Sequence, residues 1–445
     1  MATAPLPPGR TGLPLLGETL AFLFDRRFFA ARKAEFGPLF RSRLFGRDVV
    51  ISASPEANLA IFRGEHRYFE STWPNSTQAL LGADTLALQK GDTHRQRRRL
   101  LAHAFRPRAL AGYAPRMDAT IGEYIAAWQK GQPIVWAREL RHLSFDIAMS
   151  LFTGTRAGEN SPLLHDFETY AGGLFTFAWA IPGTRFHAAR RARARLVAHV
   201  DAVIAARRGA ARDGADTDVL DLLLAARDED GTALAHGEIA EQILLLLFAG
   251  HETLTSALTS FCLLLSQHPA VLARARAEVD ARVPAGPLGE LELDLPYTER
   301  VLCEVMRRLP PVGGGFRKCI ADCEIAGYTI PAGTYVLYGI TNTHLDATIH
   351  PEPDAFDPDR FADPGDVCPA HKVPTQGHDG RFIPFGGGAR ICLGMEFARQ
   401  ELRLFAARLL RDCTWQVEPD QDLRLRMVPV PKPRSGLRVR VAPRA

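Results

Sequence analysis

The stretch Phe382-Ile-Pro-Phe-Gly-Gly-Gly-Ala-Arg-Ile-Cys-Leu-Gly394 places one cysteine, Cys392, at the end of a glycine-rich turn and just ahead of a helical pattern that begins Met395-Glu396-Phe397. A thiol at a helix N-terminus lies near the positive end of the backbone dipole and its unpaired amide donors, which favour thiolate over thiol. Gly386, Gly387 and Gly388 permit a tight turn and a close approach to a flat ligand. Arg390 adds a cation two residues from the sulfur. Such a thiolate suits a metal held in a planar macrocycle. Taken alone, the same residues also read as a structural cysteine behind a glycine turn.

Four further groups bear on that choice. In His94-Arg95-Gln96-Arg97-Arg98-Arg99, His94 and Arg98 are four apart and share a helix face, so they can present two donors to one carboxylate. A solvated basic helix is the alternative. Ala249-Gly250-His251-Glu252-Thr253 interrupts an apolar helical run. Glycine there is about 1 kcal/mol less favourable than alanine, and a Glu-Thr pair in such a stretch needs partners. This predicts a widened helical turn with room for a small ligand, against a plain kink with a salt-bridged glutamate. Glu304-Val-Met-Arg307, with Arg360 downstream in Phe356-Asp-Pro-Asp-Arg-Phe361, forms a charge triad able to pin a loop to a helix. Arg317, after the turn Pro310 to Gly315, is another cation where helix gives way to strand.

These residues need elements to hold them. Thr19 to Phe36 has helical periodicity, and Leu39 to Leu44 with Asp48 to Ile51 reads as a β-hairpin around Phe45-Gly46-Arg47. Ser54-Pro55-Glu56 is a helix start. From about Thr93 to Phe261 the pattern is helical, with breaks at Pro107, Pro182-Gly183 and Asp213-Gly214. The arginines between Ala189 and Arg195 read as a solvated helix face. Gly237 to His268 is one long helix, apolar on all sides in its middle and therefore central and buried. Beyond Cys319 short β-like runs such as Thr334 to Tyr338 alternate with turns. The loop Pro351 to Asp366 is rich in proline and aspartate, and a last helix, Gly394 to Arg411, precedes strands reaching Val441. The expectation is a mainly α protein with a smaller β portion, residues 1–445 forming one domain.

Composition narrows the function classes. The 46% hydrophobic and 23% charged fractions are ordinary for a globular chain. With 54 cationic against 50 anionic residues, the net charge of +4 gives no ground for a nucleic-acid partner. The seven cysteines, Cys262, Cys303, Cys319, Cys323, Cys368, Cys392 and Cys413, are odd in number, which reads as reduced thiols. Cys319 and Cys323 are the one close pair and lack partners at zinc spacing, so packing is the favoured reading. Met1 to Gly17 is broken by prolines and shows neither a secretory signal nor a run of about 20 apolar residues. Ile243 to Ala249 is too short to span a bilayer. A cytoplasmic protein without a membrane anchor is expected.

Read in order, these groups resemble the cytochrome P-450 family of haem-thiolate monooxygenases. The likeness rests on Phe385-x-x-Gly388-x-Arg390-x-Cys392-x-Gly394, on Glu304-x-x-Arg307 upstream, and on Ala249-Gly250-x-Glu252-Thr253 in the long helix. It extends from the Pro-Pro-Gly lead at Pro7 to the final strands. The stretch Glu304 to Arg317, together with Phe382 to Gly388 and with Trp73-Pro74 ahead of Leu80-Leu81-Gly82, resembles the retinoic acid hydroxylase branch and its bacterial relatives. One departure is Leu254, where the family usually has a small hydroxylic residue; Thr255 follows it.

The resemblance implies the P-450 fold, with the long central helix lying over a haem b. It implies Cys392 as axial thiolate ligand of the iron, with Phe385 packed beside it and the turn Gly388 to Gly394 hydrogen-bonding the sulfur. Arg390, Arg317, His94 and Arg98 would hold the haem propionates. Thr253 would position dioxygen and a water, and Glu252 would deliver protons. Glu304, Arg307 and Arg360 would be structural. A separate ferredoxin or flavodoxin with its reductase would supply electrons, with Arg95, Arg97 and Arg99 as a possible docking face. The substrate regions supply Trp73, Phe175, Phe177, Phe248, Ala249, Val312 and Phe316, an apolar set suited to a lipophilic molecule such as a retinoid, other terpenoid or steroid; Arg185 is a candidate contact for an acidic one. A haem-thiolate isomerase or dehydratase, or a haem sensor without turnover, are the alternatives.

Overall fold

A computed structural model describes residues 4–14, 16–25, 27–156, 158, 161–208, 217–362, 379–427 and 429–444. Two compact units emerge, each built from two stretches of chain: Met1–Thr72 with Met306–Cys392, and Trp73–Val305 with Leu393–Ala445.

The first unit is organised on a five-stranded sheet. Its spatial order is Leu39–Leu44, Arg47–Ser52, Tyr335–Gly339, Gly314–Cys319 and Phe69–Ser71. All neighbours are antiparallel except Arg47–Ser52 with Tyr335–Gly339. The expected hairpin is present, Leu44 opposite Arg47, and both of its turn residues lie at positive φ, Phe45 at 54° and Gly46 at 72°. A two-residue turn of that hand matches the strand twist. Both faces of the sheet are covered. Leu39, Val50, Val336 and Cys319 pack with Ala57, Ile61 and Phe69, while Phe40, Val49, Ile51 and Leu337 pack with Phe28. Helix Pro55–Arg63 therefore sits over one face and helix Phe28–Phe36 over the other. The first starts as its sequence indicates, with the Ser54 hydroxyl accepting from the Ala57 amide at 3.3 Å and Pro55 in the first turn.

Thr19 to Phe36 is two helices rather than one, Thr19–Phe24 and Phe28–Phe36. The break falls at Asp25, whose backbone is extended and whose carboxylate accepts from the Arg27 amide at 2.8 Å. An aspartate that bonds its own neighbouring backbone competes with helix propagation.

The second unit is mainly helical. Its axis is the 32-residue helix His236–Gln267, ended at His268 before Pro269 opens the next helix. Among the described residues it is the one helix with the length and hydropathy of a membrane span, and 67% of its apolar window is buried, as in a core helix. It packs against Trp136–Thr153, Arg185–Arg207, Pro269–Arg282 and Met395–Asp412. Pro107 opens helix Pro107–Trp128 instead of merely interrupting one. Strands Pro133–Val135, Arg438–Pro443 and Cys413–Val417 form a small antiparallel sheet.

Cys262, Cys319, Cys323, Cys392 and Cys413 are free thiols, whereas Cys303 is disulfide-bonded, a departure from the all-thiol expectation. The Cys319 and Cys323 sulfurs lie 4.0 Å apart, and no group of three or more His, Cys, Asp or Glu able to hold a metal occurs among the described residues. The expected break at Asp213-Gly214, the end of the loop at Asp366, and Cys368 lie outside the described residues.

Candidate active site

In the first unit, the cysteine loop is fixed by its own backbone. The Gly386 amide donates to the Ile383 carbonyl at 2.9 Å, the Ile391 amide to Gly388 at 3.1 Å, and the Cys392 amide closes back on Phe385 at 3.0 Å. At the start of the loop the Ile383 amide donates to His344 Nε2 at 2.8 Å. That nitrogen must carry a lone pair, and complete burial holds the His344 pKa well below its usual value.

The three glycines do different work. A Cβ on Gly387 would stand 2.4 Å from the Phe62 ring, and one on Gly388, at φ 63°, would stand 2.3 Å from the Phe62 carbonyl oxygen. Those two glycines let the loop lie against helix Pro55–Arg63. Gly386, at φ 70°, faces open space, so only there does the backbone leave room for something else. Cys392 itself is exposed, unlike the buried or half-buried Cys262, Cys319, Cys323 and Cys413.

Arg317 and Arg390 converge on a residue that no motif marked. Arg317 Nε donates to Glu65 Oε2 and Arg390 Nε to Glu65 Oε1, both at 2.8 Å, with Glu65 and Arg317 buried and Arg390 half-buried. Two guanidinium cations share one carboxylate in a poorly hydrated place. Desolvation lowers the Arg390 pKa, and Glu65 offsets part of that.

The expected pin on the downstream loop is built through carbonyls. Arg307, fully buried on helix Pro296–Arg308, donates to the carbonyl oxygens of His344 and Pro353 at 2.9 Å and of Ala355 at 3.0 Å. Arg360 donates to those of Pro351 at 2.5 Å and Glu352 at 2.8 Å. Glu304 is fully buried on the same helix as Arg307.

In the second unit, the central helix stays α-helical through Ala249 to Thr253, so the widened turn is not formed. A notch occurs by another route. Phe248, Gly250, Glu252 and Thr253 are half-buried and Ala249 is exposed within an otherwise buried stretch. The Thr253 hydroxyl donates to the Ala249 carbonyl at 2.6 Å. Its one proton is thereby used, and its oxygen is left as an acceptor.

Glu252 is held by partners the sequence did not reveal. Arg141 Nη2 lies 3.6 Å from Glu252 Oε1, and Arg141 Nη1 donates to Glu168 at 3.2 Å. His251 Nε2 bonds the Arg141 carbonyl at 3.0 Å, and its Nδ1 lies 3.7 Å from Glu252 Oε1. Complete burial pushes His251 down to about 4. The ring is therefore neutral near pH 7, and since a carbonyl only accepts, the proton is on Nε2. Leu254 is buried, as is Thr255 beside it.

His94 is buried and Arg98 half-buried on helix Gly91–Ala102. Arg95 pairs with Asp92, Arg97 with Glu238 at 2.6 Å, and Arg99 with Glu229, so this face carries less free charge than its sequence suggests. Gly394 caps helix Met395–Asp412. Among the apolar candidates, Phe175 packs on Phe248 with ring centroids 6.4 Å apart, and Trp73 donates its indole N–H to the Ala87 carbonyl at 3.1 Å. Phe177 stacks on Trp179 and is 77% exposed. In the first unit, Val312 is exposed and Phe316 packs against the Phe28 and Phe40 face of the sheet.

The cytochrome P450 family model matches residues 7–439. The chain belongs to the cytochrome P450 family. The putative cytochrome P450 120 of Synechocystis is 45% identical over 438 residues, covering 98% of this chain and 97% of that protein. Human cytochrome P450 26C1 is 34% identical over 469 residues, 98% of this chain and 88% of the human one. A solved structure described as retinoic-acid-bound cyanobacterial CYP120A1 matches with TM-score 0.89 at 44% identity, covering 99% of this chain and all of that one. The haem domain of cytochrome P450DA matches with TM-score 0.85 at 25% identity, covering all of this chain and 99% of that one.

This P450 is a monooxygenase, an oxidoreductase that uses haem iron, and its mainly α architecture is the family's. Its own residues fit that cofactor. The first unit offers an exposed thiol behind Gly386 and two poorly hydrated guanidinium groups that meet at one carboxylate, a set of N–H donors suited to anionic groups.

Proposed function

We propose that this P450 hydroxylates a retinoid, using one atom of dioxygen and two electrons delivered singly by a ferredoxin or flavodoxin and its reductase. The observation that carries the substrate class is the 44% identity, over 99% of the chain, to a structure that holds retinoic acid. The Phe175–Phe248 contact beside exposed Ala249 supports it, since it sets aromatic surface next to the notch in the central helix. Other terpenoids and steroids share that apolar chemistry and form the comparison set.

The proposed roles follow from the donor and acceptor inventory. Haem b, when bound, supplies the oxygen-activating chemistry. Cys392 is its thiolate ligand, Phe385 shields the sulfur, and Gly388 to Gly394 carry the backbone around it. Arg317 and Arg390, and in the second unit His94 and Arg98, hold its carboxylates. The Thr253 oxygen, its proton committed to Ala249, accepts a hydrogen bond from a water. Glu252 passes a proton at Oε1, held in place with Arg141 Nη2 at 3.6 Å and His251 Nδ1 at 3.7 Å. Glu304, Arg307 and Arg360 keep the preceding loop in place.

The test is a titration of the purified, haem-loaded protein with retinoic acid, other terpenoids and steroids, followed by the spin-state shift of the haem absorption. Turnover of the best ligand under isotopically labelled dioxygen should place one labelled atom in the product. Absence of a shift with every retinoid would overturn the substrate class, and unlabelled product would overturn the use of dioxygen.

A further inference from the structure

We propose that Cys319 and Cys323 are a redox dithiol, closed to a disulfide by exchange with a small-molecule disulfide such as oxidised glutathione. The closed form staples the hairpin of Cys323–Ile325 and Tyr328–Ile330 to the five-stranded sheet. All of these residues belong to the first unit, and the two sulfurs lie 4.0 Å apart.

The backbone brings the pair together from two different sheets. Cys319 ends strand Gly314–Cys319 opposite Phe69. On its other side its amide donates to the Thr334 carbonyl and its carbonyl accepts from the Gly333 amide, both at 2.8 Å. Cys323 opens the hairpin opposite Ile330. The Cys319 sulfur reaches that same rung, 3.6 Å from the Ile330 carbonyl oxygen and 3.1 Å from that of Ala321. Three exposed residues, Ile320, Ala321 and Asp322, join the two cysteines. This turn is itself held: the Ile320 amide donates to the Tyr68 carbonyl and the Asp322 carboxylate accepts from the Ala332 amide, both at 2.8 Å. A disulfide needs its sulfurs at about 2.05 Å, and a change of rotamer at one cysteine moves a sulfur through the remaining gap.

The two thiols differ as an entry sulfur and a resolving sulfur should. Cys323 is half-buried beside the exposed turn, whereas Cys319 is buried with Leu39, Val50, Ile325 and Ile330. A hydrogen bond from Cys323 holds the Cys319 thiol below its ordinary pKa, and the same contact pushes Cys323 up. Cys262 and Cys413 show the contrast, since burial raises both, Cys413 to about 11. Exposure selects Cys323 for the first step. Its thiolate attacks one sulfur of the small disulfide, that S–S bond breaks, one glutathione leaves, and Cys323 carries a mixed disulfide. The Cys319 thiolate then attacks the Cys323 sulfur, the second glutathione leaves, and the protein S–S bond closes. Two electrons and two protons pass from the pair to glutathione, and excess reduced glutathione reverses both steps. The first step is slow because Cys323 is raised, and the second is fast because Cys319 is lowered. Arg317 lies two residues before Cys319 on the same strand, and Thr329 of the hairpin donates its amide and hydroxyl to the Pro5 and Ala4 carbonyls at 2.9 and 2.7 Å. The staple therefore ties the N-terminal segment to the strand that bears Arg317.

The experiment incubates the full-length, haem-loaded protein in glutathione buffers of falling reduced-to-oxidised ratio, quenches with acid, alkylates and digests with trypsin. The readout is a peptide mass, so its outcome is independent of the substrate proposal. The peptide Cys319 to Arg360 contains both cysteines and no other. In oxidising buffer it should lose two hydrogens and take up no alkylating agent, and dithiothreitol should restore both thiols. Cys319→Ala should retain one glutathione on Cys323, because the resolving sulfur is gone. Cys323→Ala should leave Cys319 a thiol that alkylates only after unfolding. The urea midpoint of the oxidised wild type should lie above that of its reduced form. Cys319→Ala/Cys323→Ala should lack this shift, which excludes the Cys303 disulfide as its source; an intact haem spectrum confirms that each variant is folded. Two alkyl groups on the wild-type peptide at every buffer ratio, or glutathione that accumulates on it unresolved, overturns the dithiol. A closed disulfide with an unchanged urea midpoint overturns the staple.

Discussion

Glu65→Gln tests the least anticipated part of the site. Wild-type Glu65 accepts from Arg317 and Arg390 through separate oxygens at 2.8 Å each, in a buried place. A hydrogen bond to a charged group contributes about 1.5–3 kcal/mol. Glutamine keeps one acceptor oxygen and turns donors toward the other arginine, so one bond is lost and the second loses its ionic character. Two like charges then lose the carboxylate that lies between them, and breaking a buried ion pair from one side costs about 3–5 kcal/mol. We expect about 3 kcal/mol of destabilisation in the haem-free protein, read by urea unfolding followed by far-ultraviolet circular dichroism. Adding Arg390→Met removes the stranded cation and leaves the glutamine oxygen for Arg317. The double variant should therefore be more stable than the sum of the two single changes by at least about 1.5 kcal/mol, a coupling expected of residues in contact. If Arg317 and Arg390 also hold the haem carboxylates, the haem-loaded protein keeps anionic partners for them, and its penalty should be smaller. A change below about 0.5 kcal/mol in the haem-free protein, or strict additivity in the cycle, would refute the reasoning from shared charge.

Arg307→Lys should fail to give a stable haem protein, because an ammonium cannot reach the three carbonyls at 2.9–3.0 Å that the guanidinium spans; recovery of wild-type haem content and melting temperature would show that those bonds are dispensable. Thr253→Val removes the hydroxyl but not the shape, so reductant consumption should continue while more of it ends as hydrogen peroxide and less as product. An unchanged product yield per reductant would remove Thr253 from the proton-handling set. Stability should peak near pH 6.5. Burial raises Glu401 to about 8, lowers His251 to about 4 and holds His344 well below its usual value. Between about pH 4.5 and 6.5 the unfolded chain binds two histidine protons against one that the native state keeps on Glu401, so stability rises with pH; from about 6.5 to 8 only Glu401 contributes, and stability falls by up to about 1.4 kcal/mol per unit. Glu401→Gln should abolish the alkaline fall, and a fall that persists in this variant would mean that Glu401 is ionised in the native protein.

The sequence made regular elements legible where local chemistry and tertiary packing agreed. Ser54-Pro55 opens a helix because the hydroxyl cap and proline in the first turn act within one turn of chain. The hairpin at Phe45-Gly46 follows from alternation on either side of a short loop. The helix His236–Gln267 was visible because an apolar run that long, ended by Pro269, has few other solutions. The failures had local causes as well. Asp25 divided one periodic segment into two helices by bonding a neighbouring amide, a competition that hydrophobic periodicity does not register. The glycine in Ala249-Gly250 suggested a widened turn, but its position in the helix is satisfied without one: a Cβ there would meet nothing closer than the Phe152 ring at 3.9 Å.

The residues that sequence could not mark are those that act through distant partners. Glu65 lies 252 positions from Arg317 and 325 from Arg390, and it is followed by an unremarkable His66. Arg141 reaches Glu252 from another helix, again without a local pattern. In both cases the motif supplied one charge of a buried group and the fold supplied its counter-charge. A motif read alone thus gives the sign of the charge a ligand must carry only after that counter-charge is counted. For Arg317 and Arg390 that counter-charge is Glu65, which accepts from both at 2.8 Å. For Glu252 the fold supplies Arg141 Nη2 at 3.6 Å and His251 Nδ1 at 3.7 Å from one oxygen, a cation and a neutral ring that the motif on the central helix does not encode.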